Sequence, residues 1–243
     1  MDDDLNQLLR GLKLGWLRQH IDEELAWAEQ QSPGYTEFLK RLLRKEHTAQ
    51  QDRFLEYRIR RARLPERWSL LSFPWDRQPG VERRSVEQLA QLDFITRGTN
   101  VVLIGGTGVG KTGLASALLL KALHQGYRGL FVKAQELFDD MYTTLADHSS
   151  RKLLNRLARL DVLLIDEMGY LNLRPEQSNI FFKLMEERYS TGLATIITTN
   201  LDYDDWYDFL GRKEMVGALL DRLRHRCVTL RIDGPSLRTP QAE

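Results

Sequence analysis

Gly105-Gly106-Thr107-Gly108-Val109-Gly110-Lys111-Thr112 is the stretch of this 243-residue chain whose residue types and spacing most directly imply chemistry. It meets every fixed position of the phosphate-binding pattern Gly-x-x-x-x-Gly-Lys-Thr. Glycines at these steps let backbone N–H groups turn inward around a triphosphate. A helix that starts at the end of the loop adds its positive dipole end to the same anion. Residues Gly105 to Gly113 are thus the predicted phosphate cradle, with Lys111 reaching the β- and γ-phosphates and the Thr112 hydroxyl holding Mg²⁺. The flanks fit, because Val101-Val102-Leu103-Ile104 reads as a buried strand running in and Leu114 to Leu120 as a helix running out.

Val162-Leu163-Leu164-Ile165-Asp166-Glu167 supplies the second half of the predicted site. Four apolar residues drive a strand through the core and present Asp166 at its C-terminal end, where open α/β sheets hold their ligands. Asp166 is the predicted Mg²⁺ ligand, directly or through water. Glu167 is the predicted residue that orients the attacking water, since phosphoryl transfer depends on positioning and charge stabilisation. Thr198-Thr199-Asn200 ends a further strand, and there Asn200 is placed to hydrogen-bond the water or the γ-phosphate. Gly217 to Arg226 reads as a helix with a basic C-terminal part. Its Arg222 allows two readings: a finger projecting into a neighbouring subunit's nucleotide site, or a cation that simply favours a helix C-terminus.

Three segments position these residues. Residues 1–67 read as a small helical N-terminal domain, with one helix over 5–30 and a second over about 36–63 capped by Thr36. The second helix carries Phe38, Leu39, Leu42, Leu43, Phe54, Leu55 and Ile59 on its predicted apolar side. Residues 68–84 form a connector whose Trp68, Phe73 and Trp75 suit docking better than a free tether, although one of them could cover a base. From residue 85 to 243, helices alternate with short apolar strands, starting with a helix at 85–96. That pattern predicts an α/β fold with a parallel sheet covered on both faces.

Composition limits the alternatives. No apolar run approaches a membrane span, and the acidic start Met1-Asp2-Asp3-Asp4 lacks the order of a secretory signal. Cys227 is the single cysteine, so no internal disulfide forms; it reads as a packing residue at a strand start, and a cytoplasmic setting is expected. The net charge of +1 hides ten basic against four acidic side chains between Lys40 and Arg67. Arg58, Arg60, Arg61 and Arg63 in this stretch are the predicted DNA-contacting residues, acting on phosphates without base readout. The competing reading is a solvated helix surface laced with Glu46, Asp52 and Glu56.

The order of glycine loop, Leu-Leu-Ile-Asp-Glu, Thr-Thr-Asn and Leu-Leu-Asp-Arg-Leu resembles AAA+ ATPases of the DnaA/DnaC branch. Within that branch the chain looks like the IstB-type helper ATPases of insertion sequences. Arg60 to Pro65, Gly98 to Val101, Gly126-Tyr127-Arg128, Asp166 to Leu171 and Ala218 to Leu223 carry the closer match. The resemblance implies an ATP- and Mg²⁺-dependent homo-oligomer, a ring or spiral, that binds duplex DNA and controls a partner transposase, with no membrane role. It also implies the finger role for Arg222 and a sensing role for Asn200. Glu167 favours turnover of ATP. A DnaC-like helicase loader and an architectural DNA-binding scaffold with structural ATP are the alternatives. Where the family commonly has Gly-x-Ser-Tyr-Arg, this chain has Gly234-Pro235-Ser236-Leu237-Arg238, which leaves Arg238 without an assigned role.

Overall fold

The computed structural model describes residues 2–146, 149–169, 173–211 and 213–238. They fall into two compact units, Met1–Tyr57 and Arg58–Glu243.

The first unit is helical. It contains α1 (Asp3–Gly11), α2 (Gly15–Gln31) and most of α3 (Tyr35–Ala62). The single helix expected over 5–30 is in fact two. Gly11 and Gly15 bracket the break, each a poor helix former, and Lys13 between them takes a left-handed φ of 58°. Thr36 is not a cap, because α3 begins at Tyr35 with the Phe38 amide donating to Gly34 O. Leu9, Leu17 and Ile21 form the small core, with Leu42 packed on it. Leu39, Leu43 and Phe54 of the expected apolar side of α3 are exposed instead. At 28 residues α3 outruns the 17-residue α2, and the seven positions cover more arc than one neighbour can bury.

Two buried glutamates tie α2 to α3. Glu24 binds Arg41 Nε and Lys45 Nζ, each at 2.5 Å. Glu46 accepts from the Leu17 amide at 2.9 Å and so serves the N-terminus of α2, which has no side-chain cap of its own.

The second unit carries a five-stranded, wholly parallel sheet in the order β2-β3-β4-β1-β5. The strands are β1 (Asn100–Gly105), β2 (Gly129–Lys133), β3 (Val162–Met168), β4 (Ala194–Thr199) and β5 (Cys227–Ile232). Around them lie α4 (Arg83–Leu89), α5 (Asp93–Thr96), α6 (Lys111–His124), α7 (Ala134–Ala146), α8 (Ser150–Leu157), α9 (Pro175–Ser190), α10 (Trp206–Leu210) and α11 (Lys213–His225). The helix expected at 85–96 is split into α4 and α5, where Leu92 takes a left-handed φ of 68° and turns the chain.

Alternation along the strands sends side chains to two cores. Val102, Ile104, Leu163 and Ile165 face one layer of helices, and Val101, Leu103, Val162 and Leu164 face the other. Both sheet faces are therefore dry, which explains the uninterrupted apolar runs. The connector belongs to this unit: Phe73 and Val81 are buried in the second core, and Trp75 meets Phe73 edge-on at 4.8 Å between ring centres. No helix among the described residues is long and apolar enough to cross a membrane.

Candidate functional site

The glycine loop leaves the C-terminal end of β1 and feeds α6, which starts at Lys111. Gly108 and Gly110 have φ of 82° and 96°, values that strain any residue with a Cβ. Gly110 gives the helix no side-chain cap, so the first amides of α6 stay free for an anion. The Lys111 ammonium donates to Gly105 O at 2.8 Å and Gly106 O at 2.6 Å, curled back over the loop it would leave for a phosphate. Burial pulls its pKa below the usual lysine range, and the nearby Asp166 carboxylate opposes that.

β3 and β4 form the opposite wall. The pairing register between them shifts from Ile165 to Met168, and Glu167 has a left-handed φ of 59°. This irregularity turns two consecutive carboxylates in different directions. Asp166 is 1% exposed; it accepts from Thr112 Oγ1 at 2.9 Å and from Thr198 Oγ1 at 2.5 Å. Burial raises its pKa, while the two hydroxyls counter the rise. Glu167 stays half-exposed, with its carboxylate 3.4 Å from Lys133 Nζ and its amide bonded to Thr198 Oγ1. Asn200, just past β4, holds a buried Oδ1 with no hydrogen-bond partner in the structure.

These side chains meet in one cleft of about 480 Å³, within the size range of small-molecule and cofactor sites. Its donor set suits Mg²⁺. A serine-type hydroxyl on Thr112 and the Asp166 carboxylate are hard oxygen ligands already in contact, and the orphaned Asn200 oxygen faces the same space. Among the described residues no group of three His, Cys, Asp or Glu side chains could hold a metal alone.

The structure brings together Lys111, Thr112, Asp166, Glu167 and Asn200 and leaves Arg222 elsewhere. Arg222 lies on α11, partly exposed, 3.4 Å from Glu186 Oε1 beside a small cavity between α9 and α11. Arg58 donates to the Leu123 carbonyl at the end of α6, whereas Arg60, Arg61 and Arg63 are exposed. Tyr170 and Leu171, which belong to the closer sequence match, lie outside the described residues. Cys227 starts β5 half-buried beside Tyr203 and Thr229, and burial pushes its thiol up.

Several walls of the cleft were missed in the sequence. Lys133 ends an otherwise apolar strand next to the Asp-Glu strand, and that lone charge was a usable signal. Thr198 was visible in the Thr-Thr-Asn run but was not assigned. Of the connector aromatics expected to dock or to cover a base, Trp68 lies against Gly113 and lines the cleft, while Phe73 packs against Gly110. Leu237 and Arg238 line it from the C-terminal side.

Comparison with known proteins agrees with this geometry. The family model of the IstB-like ATP binding protein matches residues 7–243. An insertion-sequence IS21 protein of Pseudomonas aeruginosa, whose name provisionally assigns it ATP binding, is 37% identical over 235 residues, covering 97% of this chain and 88% of its own. A similarly named protein of insertion sequence IS5376 from Geobacillus stearothermophilus is 30% identical over 238 residues, covering 98% of this chain and 94% of its own. Among solved structures, that of DnaI superposes with a TM-score of 0.60 at 23% identity, over 69% of this chain and 92% of that one. This last likeness shows that the two share the parallel sheet-and-helix fold.

Proposed function

The chain belongs to the IstB-like ATP-binding protein family, and from that premise we propose that it is a Mg²⁺-dependent ATPase that assembles on duplex DNA and regulates a partner transposase. The observation that carries the reading is the contact between the Thr112 hydroxyl and the buried Asp166 carboxylate, 2.9 Å apart, beside a glycine loop with free helix amides. Thr112 and Asp166 would hold Mg²⁺, which would supply neutralisation of the charge that develops during phosphoryl transfer.

The chain's own residues supply the rest. Loop amides and Lys111 hold the β- and γ-phosphates, and Lys111 exchanges its two carbonyl partners for them. Thr112 and Asp166 hold the ion. Thr198 fixes both Asp166 and the Glu167 backbone, so the two carboxylates keep their relative placement. Glu167 orients the water, with Asn200 hydrogen-bonding either that water or the γ-phosphate. Arg222 of a neighbouring subunit completes the site in trans; its distance from its own cleft supports that role. Exposed Arg60, Arg61 and Arg63 contact DNA phosphates, while Arg58 is already engaged by the Leu123 carbonyl.

One assay tests both halves: DNA-stimulated phosphate release, titrated with duplex at several salt concentrations. Glu167→Gln is expected to lower the rate by at least about a hundredfold with ATP still bound. Replacing Arg60, Arg61 and Arg63 together by Ala is expected to raise the DNA concentration needed for stimulation and to flatten its salt dependence. Unchanged turnover in the glutamine variant would show that hydrolysis at this cleft is wrong. An unchanged salt slope would remove these arginines from the DNA interface.

A further inference from the structure

The C-terminal turn of α11, which carries Arg222, is tied to the sheet by polar groups buried beside it. The last carbonyls of a helix have no partner within it. One of them, Leu223 O, accepts from the Asn100 side-chain nitrogen at 3.4 Å, and just past the helix Arg226 O accepts from the Asn100 amide at 2.7 Å. The oxygen of the same side chain accepts from the Thr195 amide at 3.0 Å. The Thr195 hydroxyl accepts from Arg188 Nε at 3.0 Å, and Arg188 also donates to the carbonyls of Leu157, Leu160 and Ala194. Asn100, Thr195 and Arg188 are all buried. A run of hydrogen bonds thus leads from α9 through the first residues of β4 and β1 to the residue after Arg222.

A buried network of this kind specifies one geometry, because any group left without its partner is costly. Packing alone does not fix α11 here, since a cavity of about 120 Å³ separates part of it from α9, with Asn100, Arg188, Leu219 and Arg222 in its lining. On the outer side, the Glu186 carboxylate lies 3.4 Å from the Arg222 guanidinium. Arg222 is therefore held twice, through its own turn by Asn100 and at its tip by Glu186. β1 also joins the two halves of the proposed chemistry. Its first residue, Asn100, holds the arginine's turn, and its last, Gly105, opens the glycine loop.

We propose that Asn100 and Glu186 are positioning residues for Arg222, which set the direction in which it enters the nucleotide site of another copy. This rests on reading Arg222 as a finger in trans. Asn100 fixes the backbone of the finger's turn, with Arg188 holding Thr195 and through it Asn100. Glu186 aims the side chain. Neither Asn100 nor Glu186 is among the described residues that line the phosphate cleft. Their effect therefore belongs to the copy that donates the arginine and not to the copy that binds the nucleotide.

The test puts each substitution on one side of the interface at a time. Lys111→Ala chains donate an arginine and lack a working cleft, whereas Arg222→Ala chains offer a cleft and no arginine. ATP hydrolysis by a mixture of the two is the reference. Asn100→Ala added to the Lys111→Ala chain is expected to lower the mixture's rate at saturating ATP at least about tenfold, as a misplaced catalytic group does. The same change added to the Arg222→Ala chain leaves both that rate and the KM for ATP within about twofold of the reference. Glu186→Gln lowers the rate up to about fivefold, the scale of an exposed ion pair, and again only from the donor side. General destabilisation lowers both placements alike, so equal loss, or no loss from the donor side, overturns the proposal. Should Asn100→Ala prevent co-assembly, followed by light scattering, Glu186→Gln decides, because an exposed side chain is changed without disturbing the core. A Glu186→Gln donor as good as its parent then overturns the proposal. A reference mixture as inactive as its parts overturns the action of Arg222 across an interface, and both positioning roles with it.

Discussion

Glu167 occupies a left-handed backbone position that a β-strand residue does not choose by itself, at an intrinsic cost of about 1–3 kcal/mol. The surroundings hold it there through the Thr198 hydroxyl bond and the bulge against β4. Its carboxylate lies 3.4 Å from Lys133, and both side chains are about half exposed. A carboxylate engaged by an ammonium is not free to orient water, so under the proposed function this pair restrains Glu167 in the resting state. Ion pairs at that exposure contribute about 0.2–1 kcal/mol. Lys133→Ala is accordingly expected to raise DNA-independent ATP hydrolysis by up to about fivefold and to lower the stimulation ratio by the same factor. Steady-state phosphate release at saturating ATP, with and without duplex, measures both. A fall in the unstimulated rate would mean that Lys133 serves the phosphates and does not restrain Glu167.

At the scale of elements, the α2–α3 pair depends on a buried carboxylate with two cationic partners. The Arg41 hydrogen bond to Glu24 holds its carboxyl below the ordinary glutamate value of 4.5, burial opposes the shift, and Lys45 adds to it. A depressed folded-state value means the unfolded chain takes up the proton first. The stabilisation is complete above pH 4.5 and is lost as pH falls from there through the folded-state value. Glu24→Gln should cost the first unit about 1–2 kcal/mol at pH 7, a figure discounted because Arg41 and Lys45 are a third or more exposed and regain water. It should also flatten the acid limb of stability. Urea unfolding of the full chain between pH 3 and 7, followed by the fluorescence of Trp16 and Trp27, would expose an error if the variant kept the steep acid limb.

Element identity was legible because strands buried on both faces must be apolar runs, and the five found here are largely that. The two helix breaks were not. They fall at Lys13 and Leu92, residues that favour helix and give no local hint of a left-handed turn. The strand-end residues Asp166, Glu167 and Asn200 could be placed for the same reason as the strands, and they line one cleft. Gln78 could not, because its partners, the Val109 and Pro235 carbonyls, lie far from it along the chain and only the fold brings them near.

At the scale of the whole molecule, the site is incomplete within one chain if Arg222 acts across an interface. Arg222 lies outside the cleft and pairs with Glu186 on the neighbouring helix, so under that proposal the α9–α11 face is the one that meets another copy. Head-to-tail assembly then pairs one protomer's cleft with the next protomer's arginine. Lys111→Ala and Arg222→Ala proteins, each silent alone, should regain activity when mixed, since about a quarter of randomly formed interfaces join an intact cleft to an intact arginine. A mixture as inactive as its parts, despite co-assembly by light scattering, would place Arg222's role within its own chain.

The strand order has a consequence for how this protein is made. β1 carries the glycine loop yet pairs with β4 and β5, with Val101 opposite Ile196 and Asn100 opposite Cys227. During synthesis one edge of β1 stays bare until β4 has been made and the other until β5 has. Until both partners are present, the largely apolar strand that carries the glycine loop is an edge open to mispairing, so this sheet closes around its phosphate loop late in folding.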